Sequence, residues 1–369
     1  MTTPHVPLVD LSHQQQQIAA AIREGFNRVI AESSFIMGPQ VGEFESAWAK
    51  YCGVRFSMGV GNGTDAIEIA LRAAGVGSGD EVIIPANTFV ATAGAVERSG
   101  ARPVLADCTE DFLLDPSDVA DRVTKRTKAV VGVHLYGQAA PIEAIREVVP
   151  RGIPIFEDMA QAQGAMRHGA RAGSLGDMAA TSFYPGKNLG AYGDAGAVMT
   201  NSELFAERIR RLRNHGGNRR YEHLEVGFNS RLDTLQAVVL NAKLAFLDEW
   251  NRERSEASEL YRQLLSGQEA VRLPEVAEGN DHVFHLYVVR VPDRDRVAHV
   301  LTAAGIGVGI HYPTPIHLLP AYAHLGYSRG AFPVAERHAG EIMSLPLFPG
   351  ITSSQQEEVA VALGKVLGR

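Results

Sequence analysis

Between residues 55 and 200 the chain alternates short, apolar, β-branched runs with helical stretches, and this alternation constrains its fold more than any other feature. The runs are RFSMGV, EVIIP, RPVLAD, KAVVGVHLY, IPIFED, AATSFY and GAVMT, with AIEIALRAAG and PIEAIREVV among the segments between them. Strands separated by helices predict a largely parallel sheet covered on both faces. Runs such as VVGVHL, which lack polar alternation, predict strands buried on both sides. Before this region Ile18, Ile22, Phe26 and Val29, then Val41, Phe44, Trp48 and Tyr51, recur every three or four residues and predict two amphipathic helices. After it come a helical stretch near Asp233 to Leu265, a strand HVFHLYVVRV, a helix near Arg294 to Ala304, a strand GVGIHY and closing helices. That tail predicts a smaller α+β domain, with the division expected at 1–245 and 246–369.

Composition removes several function classes. The 35 Lys and Arg are outnumbered by 42 Asp and Glu, and no block of like charge occurs, so no nucleic-acid partner is expected. The N-terminus lacks a basic start followed by an apolar stretch, and no run reaches the roughly 18 apolar residues of a membrane span. Two cysteines, Cys52 and Cys108, are too few for a disulfide framework, which points to a reducing compartment and a cytoplasmic location.

Three segments carry chemistry. GVGNGTDAIEIAL follows a strand and opens a helix, so Gly63 and Thr64 can aim backbone N–H groups at a phosphate, although a plain turn capped by Thr64 or Asp65 would look the same. A dinucleotide fingerprint and a P-loop both fail on spacing. In IPIFEDMAQAQGA, Glu157 and Asp158 end an apolar strand, where a carboxylate needs a cationic partner. Asp158 could face a protonated ring nitrogen of a cofactor or simply cap the next helix. In TSFYPGKNLGAYGDAGAVMT, Lys187 lies in a loop of glycines and aromatics; it is either a solvated charge or a Schiff-base nucleophile. Phosphate cup, strand-end aspartate and loop lysine, in that order, are the parts pyridoxal phosphate requires.

GNGTDAIEIAL, PANTFVATA, EDMAQAQGA, SFYPGKNLG with GDAGAVMT, GFNSRLDTLQA and HYPTPIHLLPAY resemble the sugar aminotransferases of the DegT/DnrJ/EryC1/StrS family over nearly the whole chain. The resemblance implies the aspartate-aminotransferase-like fold (fold type I). It implies a mostly parallel seven-stranded sheet in the large domain, a small C-terminal domain, and a homodimer with shared active sites. By motif, Lys187 would form the Schiff base, Asp158 would pair with the pyridinium nitrogen and Gln161 would lie near the ring hydroxyl. Phe89 would stack on the ring, and Gly63, Thr64 and Ser182 would hold the phosphate, with Asn229 reaching it from the other subunit.

The same resemblance nominates Tyr184, His311 and Tyr312 for the sugar and Arg219 or Arg220 for the nucleotide diphosphate. His311 and His317 are also readable as a satisfied histidine pair. A zinc site drawn from His282, His285, His311 and His317 is disfavoured, since no cysteine accompanies them and two rings three apart on a strand face opposite sides. No metal is expected. The expected reaction moves an amino group from L-glutamate to a dTDP-linked 3-keto-6-deoxyhexose. A 4-keto sugar, a cyclitol, and a non-catalytic sensor or regulator are the alternatives. The family's deoxygenating branch carries a histidine in place of the lysine, so Lys187 argues against it.

Overall fold

A computed structural model describes residues 5–219 and 221–368. Seven strands build one sheet: β1 (Phe56–Val60), β2 (Glu81–Pro85), β3 (Arg102–Ala106), β4 (Thr127–Val133), β5 (Ile155–Asp158), β6 (Met178–Ser182) and β7 (Gly196–Thr200). All seven expected runs are present. The order is β1-β7-β6-β5-β4-β2-β3; β3, β2, β4, β5 and β6 are parallel, and β7 runs antiparallel to both its neighbours. Val82, Ile83 and Ile84 are successive yet all wholly buried, as helices on both faces require. This is the aspartate-aminotransferase-like fold of type I.

Helix Gly63–Ala73 follows β1 because Asn62, in extended conformation, accepts the N–H of Asp65 through its side chain and so starts the helix. Its apolar positions Ala66, Ile69, Ala70 and Leu71 are buried against the sheet. The two N-terminal helices are Ser12–Glu32 and Pro39–Cys52. Ile18, Ile22 and Val29 of the first pack with Val238, Val239 and Trp250.

The helix expected across Asp233 to Leu265 is two helices, Thr234–Leu244 and Leu247–Leu265, parted at Ala245 and Phe246. The second serves two cores. Trp250 packs with the first N-terminal helix, while Ala257, Tyr261 and Leu265 join Val289, Leu301, Met343 and Leu363. That C-terminal core includes an antiparallel pair, β8 (Tyr287–Arg290) and β9 (Ile342–Leu345), flanked by helices Arg294–Ala303 and Ser353–Val366. It also takes in Val6, which bridges to Ile306, so the N-terminal segment is packed with the C-terminal elements.

Two strand expectations need correction. Of HVFHLYVVRV only the second half is strand, so His282 and His285 lie in the segment leading into it. GVGIHY makes single bridges, Val6 to Ile306 before it and Gly309 to Ser344 within it, and no continuous ladder. Gly305, with φ at +82°, turns the chain out of the preceding helix, and the segment then passes between neighbours that each offer it one bridge. Among the described residues no helix is long and apolar enough to cross a membrane.

Candidate active site

A cavity of about 550 Å³ opens where β4, β5 and β6 end, the edge at which open α/β sheets bind ligands. One wall is the start of helix Gly63–Ala73 against the end of β6. Gly63 and Ser182 approach so closely that a Cβ on Gly63 would lie 2.6 Å from Ser182 Cβ, which is why only glycine fits there. Helix geometry leaves the N–H groups of Gly63 and Thr64 without intrahelical acceptors, and the positive end of the helix faces the cavity with them. The cup is suited to a phosphate.

The opposite wall carries the acid. β5 alternates faces, so Glu157 and Asp158 part company. Glu157 is wholly buried, accepting from His134 Nε2 at 2.8 Å and from the N–H groups of Gly173, Leu175 and Gly176 at 2.6, 2.8 and 2.7 Å. Asp158 points into the cavity, where Thr92 Oγ1 donates to its Oδ2 at 2.8 Å and the Ala160 N–H donates to Oδ1 at 3.2 Å. Lys187 lines the same space, its N–H bonded to the Tyr184 carbonyl at 2.8 Å. Burial pushes its ammonium down to about 8, against the opposing pull of Asp158. A lysine that surrenders its proton near neutrality is a competent amine nucleophile.

Gln161 is held at both ends: its Oε1 accepts the Tyr136 N–H at 2.7 Å and its Nε2 donates to Tyr312 Oη at 3.1 Å. Phe89 and Tyr312 face each other across the mouth, ring centroids 5.1 Å apart at 33°. Tyr184 is more than half exposed at the rim.

The cavity thus brings together Gly63, Thr64, Phe89, Asp158, Gln161, Ser182, Tyr184, Lys187 and Tyr312. It does not bring in the remaining nominees. His311 stands behind Tyr312, its Nδ1 within 2.8 Å of Ser344 Oγ and its imidazolium pushed down to about 4 by burial and then by Lys187. Asn229 bonds Arg231 and bridges to Asn214, outside this chain's cavity. Arg219 is exposed on a short strand, Gly217–Arg219, and Arg220 lies outside the described residues. His311 and His317 do not pair: His317 Nε2 meets Glu336 at 2.8 Å. His282 Nδ1 accepts the Phe284 N–H at 2.8 Å, and His285 Nδ1 faces Asn188 Oδ1 at 3.1 Å. No group of three or more potential metal ligands occurs among the described residues.

Sequence reasoning missed Thr92, Asn62, Arg98 and Asp194, all of which line the cavity. Thr92 carries no signal of its own in the sequence; its hydroxyl lies 3.0 Å from that of Thr88, four residues earlier in the same ANTFVATA segment.

The donor set fits pyridoxal phosphate. A phosphate cup at the Gly63–Ser182 approach, a carboxylate aimed inward with its second oxygen tied down, and a buried lysine with a lowered proton affinity share one cavity of the right scale. Fold and cavity together define a pyridoxal-phosphate enzyme of fold type I.

The DegT/DnrJ/EryC1/StrS aminotransferase family profile matches residues 16–364. A pleiotropic regulatory protein of Geobacillus stearothermophilus is 45% identical over 96% of each chain. The dTDP-3-amino-3,4,6-trideoxy-alpha-D-glucose transaminase of Streptomyces venezuelae is 43% identical, over 98% of this chain and 96% of that one. The crystal structure of S. venezuelae DesV in complex with a ketimine intermediate superposes with a TM-score of 0.96 at 43% identity, covering 100% of both chains. The chain belongs to the DegT/DnrJ/EryC1/StrS aminotransferase family and is a pyridoxal-phosphate-dependent aminotransferase.

Proposed function

We propose that this aminotransferase moves an amino group from L-glutamate to carbon 3 of a dTDP-linked 3-keto-6-deoxyhexose, acting in the cytoplasm as a homodimer with shared active sites. The observation that carries the chemistry is the meeting of Lys187 and Asp158 in the cavity that also holds the Gly63–Ser182 cup. The sugar is suggested by the 3-amino-sugar transaminase at 43% identity over 98% of this chain.

Pyridoxal phosphate, bound there, supplies a ring that withdraws electrons and stabilises the negative charge left when a proton departs from the reacting carbon. The residues do the rest. Gly63, Thr64 and Ser182 hold the phosphate, and Asn229 of the other subunit completes that grip. Asp158 would bind the ring nitrogen and keep its proton in place, with Thr92 fixing the carboxylate plane. Lys187 would carry the cofactor, and its amine would take the proton from the substrate carbon and return it, which its lowered proton affinity favours near neutral pH. Phe89 would cover one face of the ring and Gln161 would lie near the ring hydroxyl.

Tyr184 and Tyr312 orient the hexose, with His311 acting through its neighbour Tyr312. Which carbonyl meets the amine depends on this rotation, and an error of about 1 Å would be costly. Arg219 and Arg220 are the candidates for the diphosphate.

The test is to convert the protein to its pyridoxamine form and supply a panel of nucleotide-linked keto sugars. Restoration of the aldehyde form by the 3-keto-6-deoxyhexose, with the amine located at carbon 3 by NMR, is the expected result. Amination at carbon 4, indifference between the isomers, or preference for a cyclitol would refute the assignment.

A further inference from the structure

A line of hydrogen bonds through three carboxamide residues runs behind the cavity, from the end of β6 to the loop after Lys187 and on toward β8. Gln163 Nε2 donates to the Ser182 carbonyl at 2.7 Å. The backbone carbonyl of Gln163 accepts from Asn251 Nδ2 at 2.9 Å, and Asn251 Oδ1 accepts from Asn188 Nδ2 at 2.8 Å. Asn188 Nδ2 also donates to the Val283 carbonyl at 3.1 Å, which commits both its hydrogens. Its Oδ1 is therefore left to accept from His285 Nδ1, at 3.1 Å, and that ring nitrogen carries the hydrogen.

Each link joins a different part of the fold. Ser182 closes β6, Asn188 directly follows Lys187, Asn251 stands on helix Leu247–Leu265, and Val283 and His285 precede β8. Gln163 and Asn188 are 0% and 1% exposed, so water offers their amides no alternative partner. The orientation is also fixed. Turning the Asn188 amide over would set its oxygen against Asn251 Oδ1 and the Val283 carbonyl, and its NH₂ against the His285 N–H. None of Gln163, Asn188 and Asn251 lines the cavity.

We propose that Asn188, Asn251, Gln163 and His285 are positioning residues for Lys187. The lysine side chain has to leave and regain its bond to the cofactor in every cycle, so its own contacts cannot fix it. The backbone beneath it can be fixed only by neighbours, and Asn188 does this from three directions at once. The same chain ties the lysine to Ser182 of the phosphate cup and to the segment entering the C-terminal core. The spacing of the lysine and the phosphate cup is thereby set by side chains that stand outside the cavity. The inference rests on the assignment of Lys187 as the lysine that carries the cofactor.

The experiment compares Asn188→Ala, His285→Phe and His285→Asn with wild type in the full-length holoenzyme. His285→Asn keeps a side-chain N–H where Nδ1 stood; His285→Phe does not. For each, kcat and KM of the glutamate half-reaction are measured per mole of bound cofactor, with the pH midpoint of the visible absorption band. Asn188→Ala and His285→Phe are expected to lower kcat about 10- to 100-fold with KM nearly unchanged and to shift that midpoint, as a small misplacement of a reacting group does. His285→Asn is expected to restore most of both. Wild-type kcat and midpoint in His285→Phe, or equal losses in the two His285 variants, would overturn the proposal. Should Asn188→Ala fail to fold, the His285 pair decides alone. Lys187→Ala is the control for the underlying assignment: if borohydride still fixes the cofactor covalently to that variant, a different lysine carries it and the assignment itself falls.

Discussion

Thr92 Oγ1 donates to Asp158 Oδ2 at 2.8 Å across 66 residues of sequence, tying the helix that follows Phe89 to the end of β5. The bond occupies one carboxylate oxygen and so sets the plane in which the rest of the group faces the cavity. The Thr88 hydroxyl stands 3.0 Å from that of Thr92, which extends the restraint into the loop before the helix.

Thr92→Val preserves shape and removes this donor. The variant is expected to bind cofactor and to lose about tenfold in kcat, since one hydrogen bond to a charged group contributes about 1.5 kcal/mol or more and 1.36 kcal/mol is a factor of ten in rate. Single-turnover kinetics with glutamate measures it. Wild-type rates would show that Asp158 needs no such restraint.

Asp158→Asn keeps size and most hydrogen-bonding capacity but not charge. It is expected to fold, to retain cofactor, and to slow both half-reactions by about 100-fold, corresponding to roughly 3 kcal/mol of lost charge-assisted interaction. A helix cap in the same place would predict a loss of about 1 kcal/mol in stability and normal rates. Measuring rate and melting temperature together separates the two roles.

Lys243 is 2% exposed, makes no ion pair among the described residues, and has its Nζ over the Tyr192 ring, 5.3 Å from the centroid. Burial pushes its ammonium from 10.5 down to about 8. Between those values the unfolded chain holds more protons at this site than the folded one, so stability rises with pH through the window. Below about 8 the penalty is complete, at most about 3 kcal/mol at 1.36 kcal/mol per unit. Lys243→Met is expected to raise the melting temperature at pH 7, with the gain shrinking as the pH approaches 10. A gain independent of pH would assign the effect to packing.

Asn229 lies outside its own chain's cavity, which the proposed dimer explains by giving it to the neighbour's phosphate. Mixing Lys187→Ala chains with Asn229→Ala chains is expected to regenerate one intact site per mixed dimer and so a fraction of wild-type activity. Two inactive parents with no recovery on mixing would place the whole site in one chain.

The seven strands were legible because burial on both faces writes unbroken apolar runs such as EVIIP into the chain. The break at Ala245 and Phe246 was not, since KLAFLD contains neither glycine nor proline and helical periodicity continues on both sides. Asp158 and Lys187 were legible because their residue types stand out beside glycine and apolar strand. Thr92 and Gln163 did not, because a threonine or glutamine declares its role only through partners that the fold supplies from elsewhere. Glu157 is the instructive case. Adjacent to Asp158 and identical in charge, it faces the other side of β5 and is consumed by His134 and three backbone N–H groups.

The reversed direction of β7 has a bearing on assembly. Because it returns beside β6, residues 183–195 form a short excursion between adjoining strands of one sheet edge, where a parallel connection would have needed a long crossover. Closing so short an excursion forfeits little chain entropy. The ladder between β6 and β7 therefore sets the two ends of the segment bearing Lys187 side by side, and leaves its interior to be held by the long-range bonds of Asn188.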